Sequence, residues 1–338
     1  MNIDPSLPLL DLHRHLDGSI RLETIIDIGR QYELALPAWD VEGLRPFVQV
    51  TVPQPGVMAF IEKFKWMTAI LVDYSTCHRV AYENVVDART EGLDYVELRF
   101  SPCFMAEPYQ LDPVGVVEAV IDGVAAGSQD TGLKVNLIGI LSRHYGVENA
   151  WRELDAILRY PHHFAAIDLA GDEANYSAEL FSRHMYKARD AGLGITVHAG
   201  EAAGPESVWL AIQKLGAVRI GHAVRSAEDP ALLLFMKDKR IGIEANLTSN
   251  VQTSTVHDYA SHPLRSFLEH GLLATINTDD PGISGIDITY EYEVAAPSAG
   301  LSREQIRQAQ INSLEIAFLT SDERKALNTQ KNQAGQSL

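Results

Sequence analysis

Histidine and aspartate side chains that could bind a metal lie at the ends of separate short apolar runs in this sequence. His13 and His15 are two residues apart and follow an apolar pair. Side chains alternate between the two faces of a strand, so both imidazoles should point to the same side. His198 ends a second apolar run, and Asp279 follows a third. Zinc accepts imidazole nitrogen and carboxylate oxygen, although these ligands also suit iron, manganese or cobalt.

Further polar residues at similar positions could contact a substrate. Glu201 comes three residues after a strand-ending histidine. It could act as a catalytic acid or base, or it could be a solvated carboxylate at the start of the next helix. His222 could orient or deprotonate a water molecule, or it could be a core histidine whose ring nitrogens have ordinary hydrogen-bond partners. Asp280 cannot readily bind the same ion as Asp279, so we expect it to contact substrate. Gly171 offers a bare backbone N–H to a ligand, or it is an ordinary turn glycine.

Predicted strands and helices alternate along most of the chain, which determines where these residues would meet. The predicted strands cover residues 9–13, 95–100, 135–141, 165–169, 195–198, 218–222, 241–245 and 273–277. Their continuous apolar runs suit parallel strands that are buried on both faces. Eight strands, each followed by helical sequence, favour a (β/α)₈ TIM barrel over a doubly wound sheet.

The predicted barrel favours a functional interpretation of motifs that, taken singly, would be interpreted as structural. A lone histidine pair or a single histidine at a strand end is usually structural, and Asp-Asp-Pro-Gly is by itself a good turn. In a barrel, however, the C-terminal ends of all strands meet at one rim, where catalytic residues collect. Because separate strand ends supply the candidates at that rim, we favour the metal site.

The helices that follow the strands include a long insertion near the predicted barrel mouth. Between strands one and two, helices are predicted at residues 21–30, 57–73 and 76–91, whereas 36–55 contains four prolines and should be irregular. Later helices are predicted at 113–131, 146–159, 178–191, 205–215, 230–237, 262–270, 288–296 and 303–318. We expect one domain over residues 1–338, with extra C-terminal helices and a polar, poorly ordered tail at 321–338.

Composition and charge exclude several classes of function. The 338 residues carry a formal net charge of −17 without a run of basic residues, which argues against nucleic-acid binding. Two cysteines provide neither a disulfide framework nor a cysteine-based zinc finger. No apolar segment approaches the ~18 residues of a membrane span, and the N-terminus does not resemble a signal peptide. We therefore expect a cytoplasmic protein, and no obligatory protein partner is evident.

The polar stretches together resemble the adenosine deaminase family of metal-dependent hydrolases, most closely its bacterial members. The resemblance extends from residue 9 to about 319 and rests on residues 13–18 (HRHLDG), 196–201 (TVHAGE), 220–222 (IGH) and 278–281 (TDDP). Residues 248–250 (TSN) also match a family stretch, whereas Asn246 stands where we expect a smaller or sulfur-bearing residue. We expect this departure to lie away from the metal ligands and to have little effect.

The resemblance implies zinc-dependent hydrolytic deamination of adenosine and 2′-deoxyadenosine, small nucleosides of purine salvage, in a (β/α)₈ barrel. The implied ligands of one zinc ion per chain are His13, His15, His198 and Asp279. The implied substrate contacts are Glu201 as proton donor to purine N1, His222 orienting the attacking hydroxide, Asp280 at N7, the Gly171 N–H at N3, and His15 and Asp17 near the ribose.

Three alternatives stay open at this point. A relative could deaminate adenine or a modified adenosine, although Asp17 and the insertion favour a nucleoside. A metal-binding protein without turnover would have no use for an acid such as Glu201. A barrel hydrolase with two metals should carry a bridging lysine, and no lysine ends the third, fourth or fifth predicted strand.

Overall fold

Eight parallel strands form a closed barrel in the computed structural model, which describes residues 2–336. Each strand pairs with the next along the chain. The barrel closes after β8, because the Asp279 N–H donates to the His13 carbonyl (2.8 Å) and the His15 N–H donates to the Asp279 carbonyl (2.7 Å). The strands are β1 (Leu10–His15), β2 (Tyr95–Phe100), β3 (Lys134–Ser142), β4 (Phe164–Ala170), β5 (Gly194–Ala199), β6 (Arg219–His222), β7 (Gly242–Ala245) and β8 (Leu273–Ile276). The predicted (β/α)₈ fold is confirmed, and every predicted strand is present.

Charged side chains from four strands meet inside the barrel in what we call the interior ion network. It comprises Glu97, Arg99, Asp168, Arg219 and Glu244, all essentially inaccessible to solvent. Arg219 binds Glu97 (2.5 Å) and Glu244 (2.6 Å). Arg99 binds Asp168 (2.8 Å) and Glu244 (2.9 Å). Buried charges require such partners, so the network explains how these residues can interrupt otherwise apolar strands.

Helices surround the barrel, as the alternating pattern predicts. Five helices lie in the insertion before β2 and are described below. Between β2 and β8 the helices are α6 (Pro102–Ala106), α7 (Pro113–Thr131), α8 (Gly146–Ile157), α9 (Ser182–Asp190), α10 (Pro205–Leu210), α11 (Pro230–Lys239), α12 (Leu247–Gln252) and α13 (Leu264–Glu269). Helix α7 has the bounds predicted for it. The Asp112 side chain accepts from the Val114 N–H at its start, and Gly132 ends it in a left-handed conformation.

The insertion between β1 and β2 contains more breaks than predicted. It comprises α1 (Leu22–Gln31), α2 (Val41–Val48), α3 (Val57–Ile61), α4 (Lys65–Thr68) and α5 (Tyr74–Thr90), with a 3₁₀ turn at Glu62–Phe64. The stretch expected to be irregular holds α2, despite Pro46 inside it, and Asp40 caps this helix by accepting from the Gly43 N–H. The stretch expected to be one helix from residue 57 is divided by the 3₁₀ turn. Its apolar spacing still holds, because Phe60 and Phe64 are buried.

The chain beyond β8 forms further helices, one of which lies within residues 321–338, the stretch predicted to be a poorly ordered tail. It forms α14 (Pro281–Ser284), α15 (Ile288–Tyr290), α16 (Ala296–Ser298), α17 (Arg303–Ile316) and α18 (Ser321–Gln336), with a π-helical segment at Glu291–Ala295. Helix α18 lies within the predicted tail at 321–338, of which the last two residues are outside the described range. Leu327 anchors the helix among buried apolar residues, and Lys331 binds Asp94 (2.7 Å). Over residues 2–336, no helix is both long and apolar enough to traverse a membrane.

Candidate active site

Four predicted metal ligands from three strand ends converge at the C-terminal rim of the barrel. His198 Nε2 lies 3.1 Å from His13 Nε2 and 3.2 Å from His15 Nε2. Asp279 Oδ1 lies 3.1 and 3.3 Å from the same two Nε2 atoms of β1. All four residues are buried, and together they could hold a metal ion.

The separations between these atoms fit a tetrahedral ion. Zinc–nitrogen bonds of about 2.0–2.1 Å place neighbouring ligand atoms of a tetrahedron about 3.3 Å apart. The observed 3.1 to 3.3 Å match this spacing. Two Nε2 atoms this close cannot both carry hydrogen, so lone pairs must face a common centre. Such an arrangement of uncharged rings is stable when a cation occupies that centre.

Carboxylates of the interior ion network hold two of the imidazoles in the required tautomer. His13 Nδ1 lies 2.7 Å from Glu244, and His198 Nδ1 lies 3.0 Å from Asp168. Burial alone would raise the pKa of Glu244, but the guanidinium groups of Arg99 and Arg219 lower that pKa well below its usual range. An ionised carboxylate accepts from Nδ1–H, which leaves Nε2 free to bind metal.

His222 and Asp279 occupy backbone conformations that are rare outside glycine. Their φ angles are +64° and +63°, and the next residue, Ala223, has +56°. Left-handed conformations cost about 1–3 kcal/mol each in such residues and persist where the surroundings fix them, as at active sites. Burial alone would raise the pKa of Asp279, but the neighbouring imidazoles of His13 and His222 lower that pKa well below its ordinary value. Asp279 could therefore serve as an anionic ligand.

Glu201 has the properties of a proton donor. Its side chain is almost completely buried, and burial raises the pKa of its carboxyl well above the ordinary value, assisted by the charges of Asp279 and Glu173. Burial therefore favours the protonated form of this carboxyl, which is the form that can donate a proton. Its Oε1 lies 3.5 Å from His222 Nδ1 and 3.4 Å from Asn250 Nδ2, which are long separations for hydrogen bonds.

The orientation of His222 follows from a chain of contacts on its far side. Asn250 Nδ2 lies 2.9 Å from His222 Nδ1, and the Asn250 oxygen faces His262 Nε2 at 3.1 Å. The amide therefore donates to His222 Nδ1. Because burial lowers the pKa of His222, the ring is neutral and its proton is on Nε2, which faces Asp279 Oδ2 at 3.8 Å. This N–H can orient an oxygen atom beside the metal cluster.

Two predicted substrate contacts present polar atoms that have no other partner. Asp280 Oδ1 and Asp17 Oδ1 are buried and lack a hydrogen-bond partner within residues 2–336. Burial raises the pKa of Asp280 well above its ordinary value, and the adjacent charge of Asp279 adds to this effect. Burial likewise raises the pKa of Asp17. Buried polar atoms without partners are costly, so these carboxyls are suited to bind a polar ligand.

Gly171 is placed where only glycine fits. Its φ is +96°, and a Cβ added there would lie 2.5 Å from His144 Nδ1. The residue borders two adjoining cavities of about 70 Å³ each. One contains His198, Glu201, His222 and Asp280, and the other contains Asp17, Ser101, Ser142 and His144. The insertion supplies their shared apolar wall, Ile61 and Phe64.

Sequence reasoning missed the residues that support the ligands. Glu244 and Arg99 were assigned only to apolar strands, although a charge inside such a strand is itself a signal of a buried partner. Asn246 was expected to lie away from the ligands with little effect. In the structure its amide nitrogen lies 3.3 Å from Nδ1 of His222, which is a predicted catalytic residue and not one of the predicted ligands. Asn246 is therefore a neighbour of the proposed chemistry.

The sequence is similar to proteins of known family. Residues 8–333 match the family model described as adenosine deaminase. The adenosine deaminase of Vibrio parahaemolyticus is 57% identical over 325 residues, covering 96% of this chain and 97% of that protein. The adenosine deaminase of Salmonella typhimurium is 58% identical over 325 residues, with 96% and 98% coverage.

Solved structures share the fold at much lower sequence identity. An adenine deaminase from Arthrobacter aurescens superimposes with a TM-score of 0.89 at 23% identity, covering 98% of this chain and 99% of that chain. An N6-methyl-AMP deaminase from Arabidopsis thaliana gives 0.83 at 24% identity, with 99% and 98% coverage. At these identities the likeness concerns the barrel, and the substrates of those proteins do not carry over.

Proposed function

The chain belongs to the adenosine deaminase family, and from this we propose that it hydrolyses adenosine to inosine and ammonia. We extend the proposal to 2′-deoxyadenosine and to one zinc ion per chain. The observation that carries it is the buried Glu201 carboxyl, which lines the same cavity as the metal-ligand cluster and whose burial favours the protonated form. A site for metal binding alone has no use for such an acid.

The proposed zinc ligands are His13, His15, His198 and Asp279. Zinc, when bound, lowers the pKa of a water molecule and supplies hydroxide near neutral pH. The Nε2–H of His222 orients the attacking oxygen toward purine C6. This contribution is one of positioning, which depends on the neutral tautomer that Asn250 enforces.

Glu201 donates its proton to purine N1 as the oxygen adds to C6. Without this proton, negative charge would accumulate on the aromatic ring, whose C6 is a poor electrophile. General acid catalysis of this kind contributes about 10²–10⁴-fold in rate. The amino group then takes the proton of the added hydroxyl group, and the C6–N bond breaks to release ammonia as that oxygen becomes the C6 carbonyl of inosine.

The remaining polar residues bind the substrate in the two cavities. The protonated Asp280 carboxyl donates to purine N7, and the Gly171 N–H donates to N3. Asp17 and His15 lie at the sugar side, where Asp17 Oδ1 is available to a ribose hydroxyl. Because a free base would leave that carboxyl without a partner, the site favours a nucleoside over adenine.

A substrate panel tests the proposed activity. Purified protein is incubated with adenosine, 2′-deoxyadenosine, adenine and N6-methyladenosine, and the ultraviolet change is followed with and without a chelator. We expect rapid loss of the two unmodified nucleosides, inhibition by the chelator and recovery with zinc. Unchanged adenosine in the presence of zinc refutes the proposal. Two metal equivalents per chain would favour a two-metal hydrolase instead.

The role of Glu201 is tested by Glu201→Gln. This variant should retain one zinc per chain and lose about 10²–10⁴-fold in kcat, because glutamine cannot supply the proton. Glu206→Gln, at an exposed acid on the next helix, serves as the control and should keep full activity. A fully active Glu201→Gln enzyme would show that another group protonates the purine.

We also propose that the protein acts in the cytoplasm without nucleic acid, membrane or an obligatory protein partner. The net charge of −17 repels polyanions, and the sequence contains no basic run that would offset this repulsion. Fractionation of cells that express the full chain should place deaminase activity in the soluble fraction, independent of nuclease treatment.

A further inference from the structure

Glu173, in the loop after β4, binds the main chain of the loop after β5. Its Oε1 accepts from the Gly200 N–H at 2.6 Å. Its Oε2 accepts from the N–H groups of Glu201 (3.0 Å), Ala202 (2.7 Å) and Ala203 (3.1 Å). The Glu173 side chain is only 6% exposed. One buried carboxylate thus satisfies four consecutive backbone donors around the proposed proton donor.

A buried cation holds the same turn from its carbonyl side. Arg143, which is inaccessible to solvent, donates to the His198 carbonyl and lies 3.5 Å from the Leu169 carbonyl. Gly200 completes the turn in a left-handed conformation with φ of +71°, and a Cβ there would lie 2.8 Å from Val208. Arg143 therefore fixes the start of the turn, and Glu173 fixes the residues that follow.

The side chain of Glu201, by contrast, makes no short polar contact of its own with any residue of the described range 2–336. Its Oε1 lies 3.4 Å from Asn250, 3.5 Å from Thr253 and 3.5 Å from His222. These contacts are too long to determine where the carboxyl sits. The position of the carboxyl is consequently set by its main chain, and Glu173 is the residue that holds this main chain in place.

Resting on the proposed role of Glu201, we propose that Glu173 is a positioning residue that places the Glu201 carboxyl for proton transfer. Hydrogen bonds to a charged acceptor are the strong ones, and four of them converge on this carboxylate. A misplacement of about 1 Å can cost about 10²-fold in rate, so an intact metal site without this clamp should be a poor catalyst.

The charge of Glu173 acts in the same direction as its hydrogen bonds. It helps to keep the neighbouring carboxyl protonated, which is the form that donates. The titratable and charged groups around Glu201 include Glu173, Asp279, Asp280, His13, His15, His222 and Arg143. Of these, Glu173 alone also bonds to the Glu201 backbone.

The direct test is Glu173→Gln. Glutamine keeps one acceptor oxygen, but its NH₂ group faces backbone N–H donors and cannot accept from them. We expect kcat to fall about 10–100-fold, with KM changed less than about threefold and zinc content unchanged. The control is Glu179→Gln, an exposed acid of the following segment, which should behave as wild type. Wild-type kcat in Glu173→Gln overturns the proposal.

A double variant separates positioning from general damage. If Glu173 acts through Glu201, adding Glu173→Gln to Glu201→Gln should lower the residual rate less than threefold. Independent effects would multiply, and that outcome overturns the proposal. An active Glu201→Gln single variant would instead refute the proposed role of Glu201, whereas the substrate panel tests the proposed function separately.

Hydrogen exchange provides a readout that does not depend on turnover. The amides of residues 200–203 should exchange at least tenfold faster in Glu173→Gln than in wild type, while those of β5 stay protected. If Glu173→Gln fails to fold, Glu173→Asp serves in both experiments, because it keeps the charge but is one methylene too short to reach all four donors. Unchanged exchange at 200–203 in the folded variant overturns the proposal.

Discussion

Replacing Glu244 by glutamine should weaken metal binding, although Glu244 touches no metal itself. Its Oε2 accepts from His13 Nδ1 and from Arg99. Its Oε1 accepts from Arg219 and from Thr196. Each Glu244 oxygen accepts two hydrogen bonds. A glutamine NH₂ group in place of either oxygen would therefore face two hydrogen-bond donors and could accept from neither. His13 then loses the acceptor that holds its ring orientation and tautomer.

The structure allows the size of the effect to be worked out. Loss of a partner beyond the direct ligands typically costs 10–100-fold in metal affinity, which is about 1.4–2.7 kcal/mol. Removing one partner from a buried ion pair costs about 3–5 kcal/mol of folding stability. With an unfolding entropy of about 2.1 cal/mol/K per residue, this corresponds to a Tm lower by about 4–7 °C.

The assay is zinc competition against a chromogenic chelator, together with thermal unfolding of the apo and zinc-loaded forms. Glu97→Gln is the matched control, because Glu97 belongs to the same interior ion network and binds Arg219 but contacts no proposed ligand. Both variants should lose stability, and only Glu244→Gln should lose zinc affinity. Zinc affinity within threefold of wild type in Glu244→Gln would refute the reasoning.

Two further predictions concern the substrate side of the site. Burial raises the pKa of Glu201 well above its ordinary value, so activity should be full below that raised pKa and should fall as the pH rises through it. A pH–kcat profile checks this prediction, and a fall in kcat near pH 4.5 would contradict it. Gly171→Ala should lose about 1–3 kcal/mol of stability and at least tenfold in kcat/KM, because the φ of +96° at this position and the His144 ring exclude a Cβ. Urea unfolding measures the stability and steady-state kinetics measure kcat/KM, and wild-type values of the two would contradict the prediction.

The chemistry at the barrel rim could be predicted from the sequence because its residues follow apolar strands. The apolar runs locate β1, β5, β6 and β8, and parallel strands bring their C-terminal ends to one rim. The same reasoning brought His13, His198 and Asp279 together without knowledge of any contact. It required only the period of a strand and the order of the elements.

The supporting contacts could not be predicted, because their partners are far apart in the sequence. His13 and Glu244 are separated by 231 positions. A glutamate in a four-residue apolar strand indicates that a buried partner exists, but the sequence does not identify which residue that partner is. Helix α2 was missed because Pro46 opposes helix formation locally, whereas packing of Leu44 and Val48 stabilises it in the fold.

The seam between β1 and β8 makes metal binding depend on completed synthesis of the chain. The Leu12 N–H donates to the Asn277 side chain across 265 positions. Beside it, the Asp279 N–H donates to the His13 carbonyl, and the Asp279 carbonyl accepts from the His15 N–H. A nascent chain that has not yet released β8 lacks the carboxylate ligand and has no closed barrel to orient His13 and His15. Metal capture then favours the folded state by mass action, so a bound ion stabilises the pairing of the first strand with the last.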